Sequence, residues 1–435
     1  MKGQEGYVGE LKELFTDNPF NPKKDTVNKK YELLKKASEH FYEVCEPYRE
    51  LWKKVGYSPS DLNLPEDLDL LVFFTTEDFK RYKDVVEEVF QTEPEKAPKG
   101  FKDYEVFYKE RTPEGILVRA GKRNPFPEEI LCVPKEELDK EYPMVTSSAT
   151  SGNPSIEYLT PIEKEAIYKA YLSAEKMCTS NKEVDKIIIF GPSSEDTPTS
   201  QSAIGRKACR ELEKTKGKNS HYLLSECRFD FTLVPKRAEK LTDAAYKNEE
   251  SVCFAFSTQL LYEFLKKMKE KGKEWNFGDN GYIAVGGGGW EGKKGRIITD
   301  AIQPKEFVEA IEDVLGIPPE NIHDIYGISE PVPFACYADW SEKEEAFIHH
   351  VPRAYCSVQI VDENDPVEVL KEGEIGLLKV ASPVAIAQPR INILVYDLVE
   401  PFRIKNGEVI DYIFRGRSKH KEYEIKGCGL RDSMG

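Results

Sequence analysis

The densest chemistry in the sequence lies at Thr146-Ser147-Ser148-Ala149-Thr150-Ser151-Gly152-Asn153-Pro154-Ser155, where five of six consecutive residues carry a hydroxyl ahead of a glycine. Side-chain O–H and backbone N–H groups in such a turn offer donors to phosphate oxygens, and Gly152 allows the backbone to come close. No Gly-Lys-Ser/Thr follows, so this is not a Walker loop. A solvated Ser/Thr linker has the same composition, and segments further along the chain must decide between the two.

Those segments follow in order. Gly286-Gly287-Gly288-Gly289-Trp290 comes directly after an apolar run. Asp324-Ile325-Tyr326-Gly327-Ile328-Ser329-Glu330 sets a flat ring that can stack on a base beside a hydroxyl and a carboxylate suited to a hard cation. Gly373-Glu374-Ile375-Gly376-Leu377-Leu378 reads as a turn entering a strand, and Tyr396-Asp397 and Gly416-Arg417 add a carboxylate and a guanidinium. Near the C-terminus, Lys426-Gly427-Cys428-Gly429 holds a thiol between two glycines. A thiolate is a nucleophile, and Lys426 or His420 nearby would lower its pKa.

Taken together, these segments resemble the adenylate-forming superfamily of acyl-CoA synthetases and luciferases. Ser147, Ser148, Ala149, Thr150, Ser151, Gly152 and Pro154 align with its phosphate loop, although Ala149 replaces a glycine and Ser155 the usual lysine. The chain most resembles the LuxE-type acyl-protein synthetases, which also end shortly after the hinge Gly-Arg with a cysteine beside a glycine. The resemblance implies an α/β adenylate-forming large-domain fold with mixed sheets packed by helices. A small β-rich subdomain follows, and a truncated C-terminal tail stands in place of the usual mobile domain.

The resemblance also assigns roles. Thr146, Ser147, Ser148, Thr150, Ser151, Gly152, Gly287, Gly288, Tyr326, Gly327, Ser329 and Asp397 would bind ATP, with Tyr326 on the adenine, Ser329 at phosphate and Asp397 on the ribose. Glu330 and Thr150 would hold Mg2+. Cys428, Glu330, Arg417 and Lys426 would form the catalytic set, Cys428 carrying the acyl group. The activity implied is activation of a long-chain fatty acid, or another carboxylic acid, as acyl-AMP. Transfer to Cys428 and delivery to a LuxC-like acyl reductase would follow. The alternatives are a ligase of the phenylacetate-CoA or coenzyme F390 kind, or a non-catalytic scaffold of the same fold.

Elements must bring these scattered positions together. Val27, Tyr31, Leu34, Phe41, Cys45, Tyr48 and Trp52 predict a helix over 26–54, and Thr75 with Asp78 predicts a second over 76–91. Thr160-Pro161-Ile162-Glu163 is a capping-box helix start. Strands are expected at Ile187 to Phe190, Val252 to Phe256, Tyr282 to Val285 and Ile322 to Tyr326, alternating with helices over 258–271 and 304–315. After 355 the signals turn to strands, with a hairpin at Asn406-Gly407. The expected division is a helical N-terminal region over 1–140, an α/β nucleotide-binding core over 141–355, a β-rich subdomain over 356–415 and a tail over 416–435.

Composition sets the remaining bounds. A net charge of -15 excludes a general nucleic-acid binder. The 22 Tyr and 22 Phe exclude a disordered chain. The 9 cysteines form no C-x-x-C pair, which predicts reduced thiols rather than a metal or disulfide framework. No run approaches a membrane span and the N-terminus has no leader-like apolar stretch, so a cytoplasmic protein is expected. None of His221, His323, His349 and His350 stands out for catalysis, and His349-His350 reads as surface or turn. Phe254 to Thr258 could line an acyl channel but reads as core strand.

Overall fold

The computed structural model describes residues 4–79, 82–90, 105–112, 115–123, 131–146, 156–191, 201–214, 221–222, 235–286, 288–290, 293–294, 297–298, 300–328, 330, 332–405 and 407–418. Helices among them are α1 (Gln4–Leu14), α2 (Lys24–Val44), α3 (Glu46–Val55), α4 (Pro161–Cys178), α5 (Gln201–Cys209), α6 (Pro235–Lys247), α7 (Thr258–Glu270) and α8 (Pro304–Leu315). The early strands are β1 (Phe74–Thr75), β2 (Tyr82–Phe90), β3 (Glu105–Thr112), β4 (Gly115–Arg123), β5 (Met144–Thr146), β6 (Ile156–Tyr158), β7 (Lys186–Phe190), β8 (His221–Tyr222), β9 (Val252–Ser257) and β10 (Gly281–Gly286). The later ones are β11 (Lys293–Lys294), β12 (Ile297–Ile298), β13 (Ile322–Gly327), β14 (Ala335–Ser341), β15 (Ala346–His350), β16 (Ser357–Val361), β17 (Gly376–Ala381), β18 (Asn392–Lys405) and β19 (Glu408–Arg417).

One mixed sheet of 12 strands organises the described residues, in the order β16-β17-β18-β19-β15-β14-β13-β10-β9-β7-β8, with β1 beside β18. From β8 to β13 the neighbours are parallel. These strands are buried on both faces, which is why Ile187-Ile188-Ile189-Phe190 and Val252-Cys253-Phe254-Ala255 are almost continuously apolar. From β13 onward every pairing along the order is antiparallel. Parallel alignment brings the carboxyl ends of β7, β9, β10 and β13 to one edge, with Phe190 opposite Phe256, Gly286 opposite Ser257 and Gly286 opposite Ile325. In open sheets of this kind, ligands bind outside that edge.

Two buried polar clusters fasten the pieces. At the start of α4, the Thr160 backbone N–H and hydroxyl both donate to Glu163 Oε2 at 2.8 and 2.7 Å, as a capping box requires. The other Glu163 oxygen accepts from Ile386 N at 2.8 Å, Ala387 N at 3.2 Å and Arg390 Nη2 at 2.6 Å. Arg390 also donates to Tyr158 O and Gln388 Oε1, both at 2.8 Å, so the segment before β18 is tied to the end of β6. In the second cluster, Lys30 of α2 is fully buried and donates to Glu408 Oε1 at 2.7 Å. Ser357 Oγ donates to the same oxygen at 2.7 Å.

Three expectations need correction. The helix over 26–54 is two helices, α2 and α3, broken at Cys45, whose backbone is extended at φ -112, ψ 106. Pro47 lies in the first turn of α3, where a missing N–H costs nothing. The helix over 76–91 does not form. A 3-10 turn over Thr76–Phe79 leads into strand β2, which pairs with β4 in a three-stranded antiparallel sheet. The valines and aromatics at 82–90 favour a pleated strand more than Thr75 and Asp78 favour a helix start. Finally, His349 and His350 lie in strand β15, with His349 2% exposed rather than in a surface turn. No helix among the described residues is long and apolar enough to cross a membrane.

Candidate active site

Tyr326 is the penultimate residue of β13, at the edge where the parallel strands end. Its ring makes edge contacts with Phe334, His349 and Tyr412 and lies tilted over Phe414, with centroids 5.8–6.1 Å apart. This nest fixes the ring plane while the residue stays only half-buried. Its hydroxyl donates to Asp397 Oδ2 of β18. The other Asp397 oxygen takes Arg417 Nε of β19 at 3.2 Å, across a register that sets Asp397 opposite Arg417. Three positions spread over the sequence thus meet in one hydrogen-bonded group.

The next strand over contributes the glycines. Gly286 closes β10, and a Cβ there would lie 2.5 Å from Ile325 O, so only glycine allows β10 and β13 to approach so closely. Gly288 follows at φ +70, a conformation that suits glycine. Gly327 is also crowded, since a Cβ would meet the Tyr171 hydroxyl at 2.5 Å. Glu330 lies three residues on, 2% exposed, with its carbonyl accepting from Val332 N at 2.7 Å.

The hydroxyl-rich stretch is framed by β5 and β6, paired from Thr146↔Ile156 to Met144↔Tyr158. Thr146 is the last residue of β5. Ser147, Ser148, Thr150, Ser151, Gly152, Gly287, Ser329, Lys426 and Cys428 lie outside the described residues. Of the predicted set, the structure therefore unites Tyr326, Asp397 and Arg417, and places Gly288, Gly327 and Glu330 along the same strand ends.

Sequence reasoning missed several residues here. Arg206 of α5 is fully buried, with its guanidinium 5.1 Å from the Phe256 ring centroid at the end of β9. Phe256 has φ +87, rare for a bulky residue. An isolated arginine inside a helix carries no sequence signal, and only the topology brings it to this edge. The histidines form a second cluster. His349 Nε2 is 3.1 Å from Asp324 Oδ2, and its ring stacks on Tyr412 at 5.1 Å. His350 bridges Asp411 Oδ1 at 2.7 Å and Asp339 Oδ2 at 3.0 Å. Burial lowers the His350 pKa, but these two carboxylates outweigh it and raise it to about 9. Burial raises the Asp339 pKa in turn, and His323 and His350 overcome that and hold it below the usual carboxylate range.

The fold defines the class of protein. A 2-hydroxyisobutyryl-CoA ligase in an open conformation with 2-HIB-AMP and CoA superposes with a TM-score of 0.57 at 14% identity, over 89% of this chain and 73% of that one. The same ligase in its thioesterification state gives 0.57 at 14% identity, over 90% and 68%. In its postadenylation state with 2-HIB-AMP it gives 0.56, over 89% and 66%. The chain has the α/β fold of the adenylate-forming ligases. A family model described as acyl-protein synthetase, LuxE, matches residues 129–434, and the chain belongs to that family. No curated protein matches it.

A magnesium ion held by such a site rests largely on substrate phosphates and needs only one or two protein carboxylates. Among the described residues no group of His, Cys, Asp and Glu could hold a metal unaided. The buried carboxylate of Glu330, just past the end of β13, fits an ion completed by ATP oxygens.

Proposed function

We propose that this chain activates a carboxylic acid, a long-chain fatty acid by family, with ATP and passes the acyl group to Cys428 for delivery to an acyl reductase. The observation that carries the reading is the meeting of Tyr326, Asp397 and Arg417 at the carboxyl edge of the parallel strands, in a chain of the LuxE family. Asp397 presents acceptors suited to ribose hydroxyls, and Arg417 and Tyr326 hold its carboxylate in place. The Tyr326 ring, fixed by its aromatic nest, offers a platform for the adenine.

In the first half-reaction a substrate carboxylate oxygen attacks the α-phosphorus of ATP. The bond to the bridging oxygen breaks and pyrophosphate leaves. Charge on the phosphoryl oxygens favours hydrogen-bond donors, the role this reading gives to the hydroxyls of 146–151 and to Arg417, and Mg2+ at Glu330 and Thr150 would add charge neutralisation. In the second, the Cys428 thiolate attacks the acyl carbonyl, a thioester forms and AMP leaves with the electron pair. Lys426, two residues before it in the sequence, would favour the thiolate.

Incubation with ATP and a radiolabelled fatty acid tests this reading. Label should stay on the protein, be released by hydroxylamine and vanish in Cys428→Ser. Pyrophosphate release should persist in that variant. Acyl-CoA formed with no protein label would instead assign a coenzyme A ligase, and no acid-dependent pyrophosphate release would leave a non-catalytic scaffold.

A further inference from the structure

Two neighbouring residues seat helix α5 against the edge where the parallel strands end. Gly205 packs on the Tyr171 ring of α4, where a Cβ would lie 3.1 Å from a ring carbon, and the hydroxyl of the same tyrosine crowds Gly327 at the end of β13. Arg206 comes next, fully buried, with its guanidinium over the Phe256 ring at 5.1 Å from the centroid. A desolvated cation is held well by the face of a ring. Phe256 lies at the end of β9, opposite Val285 of β10 and beside Gly191, which follows β7. Its φ of +87 strains a bulky residue and persists only where the surroundings enforce it. The following residue, Ser257, caps α7, its Oγ accepting from Leu260 N at 3.4 Å. In the first turn of α7 the buried Gln259 side chain lies against Gly289, where a Cβ would come within 3.1 Å of it. Gly289, at φ +97, belongs to the glycine segment after β10.

We propose that Arg206 is a positioning residue for ATP, acting through the Phe256 ring to hold the turn from β9 into α7 and, through Gln259 on that turn, the glycine segment of the nucleotide site. The proposal rests on the adenylation reading above and adds to it a residue set behind the site. The contacts run without a gap from the buried guanidinium to Phe256, along two residues of backbone to Gln259, and across to Gly289. The ring keeps its cation only while the Phe256 backbone stays left-handed. Without the cation the strained backbone relaxes, the first turn of α7 shifts, and the glycine segment loses the side chain that it rests on. Nucleotide binding suffers, while the chemical step, carried by groups elsewhere on the edge, does not.

The test measures acid-dependent pyrophosphate release, and ATP binding by equilibrium dialysis, in the full chain. Arg206→Met keeps an apolar stem and removes the cation. It should raise both the KM and the Kd for ATP roughly 10-fold, with kcat and the KM for the acid within about 2-fold of the parent. Phe256→Leu should do the same, and Phe256→Tyr, which keeps the ring, should behave as the parent. Combining Arg206→Met with Phe256→Leu should add no further loss, because each removes the same contact. Phe256 is only partly buried, so its two variants carry the test if Arg206→Met folds poorly. Multiplied losses in the double variant, or a fall in kcat with ATP binding unchanged, would overturn the proposal. A parent that binds ATP but releases no pyrophosphate would strike the acid-activation reading alone, and the binding comparison would still decide the role of Arg206.

Discussion

Asp397 has two protein partners before any nucleotide arrives, and that defines what single changes should do. Tyr326→Phe removes one hydroxyl bond to a carboxylate but keeps the ring. The KM for ATP in pyrophosphate release should rise roughly 10-fold with little change in kcat, since such a bond is worth about 1.5–3 kcal/mol. Asp397→Ala removes the acceptor itself and should raise KM further, while melting near the parent temperature. A loss of kcat alone in both variants would contradict a ribose role for this group. The group was legible in the sequence because each member sits in a short motif with its own spelling. Arg206 was not, because its only distinction is the place where the fold delivers it.

At the scale of elements, the Glu163 and Arg390 pair shows how a local signal hides a distant one. The Thr160 to Glu163 box was readable because its partners are three residues apart. The second set of bonds, to Ile386, Ala387 and Arg390, joins residues more than 220 positions away, and no periodicity reports it. Glu163→Ala should destabilise the protein by about 3–5 kcal/mol in denaturant unfolding, because it strands a fully buried guanidinium. A loss under about 1 kcal/mol would show that Arg390 finds other partners. The failed helix over 76–91 has the opposite cause, in that a readable start was overridden by residues that prefer a strand.

The sheet also carries a pH dependence. His350 on β15 faces Asp339 of β14 and Asp411 of β19, with Arg403 of β18 paired to Asp411, Tyr337 against the ring, and His323 on the other Asp339 oxygen. Its folded pKa of about 9 lies above the ordinary histidine value of 6.5. The stabilisation is complete below about pH 6.5 and is lost as pH rises toward 9. Urea midpoints should fall over that window in the parent. They should fall less in His350→Gln, and equal slopes would refute the assignment.

For the molecule as a whole, the N-terminal segment is part of the body. Tyr31, Leu33, Leu34, Phe41, Tyr48 and Trp52 are buried in the same core as Val358, Ile360 and Tyr412. Lys30 lies inside, on Glu408. Deleting residues 1–58 should therefore yield insoluble or protease-sensitive protein, even though the family match begins at residue 129. A soluble truncated chain with the parent's unfolding temperature would show the segment to be an appendage. The sequence showed the apolar stripe of α2 but not what it covers, since the partners lie more than 300 residues away.

The shared direction of β9, β10 and β13 also leaves the molecule with a quiet end. Lys271-Gly272, the turn that ends α7, comes ahead of β10 in the chain and so precedes its amino end, whereas the proposed site lies beyond the carboxyl ends of the strands. Gly272 has φ +64 and open space around it. A short inserted tag or a dye placed there would give purification or fluorescence readouts without touching the reaction centre.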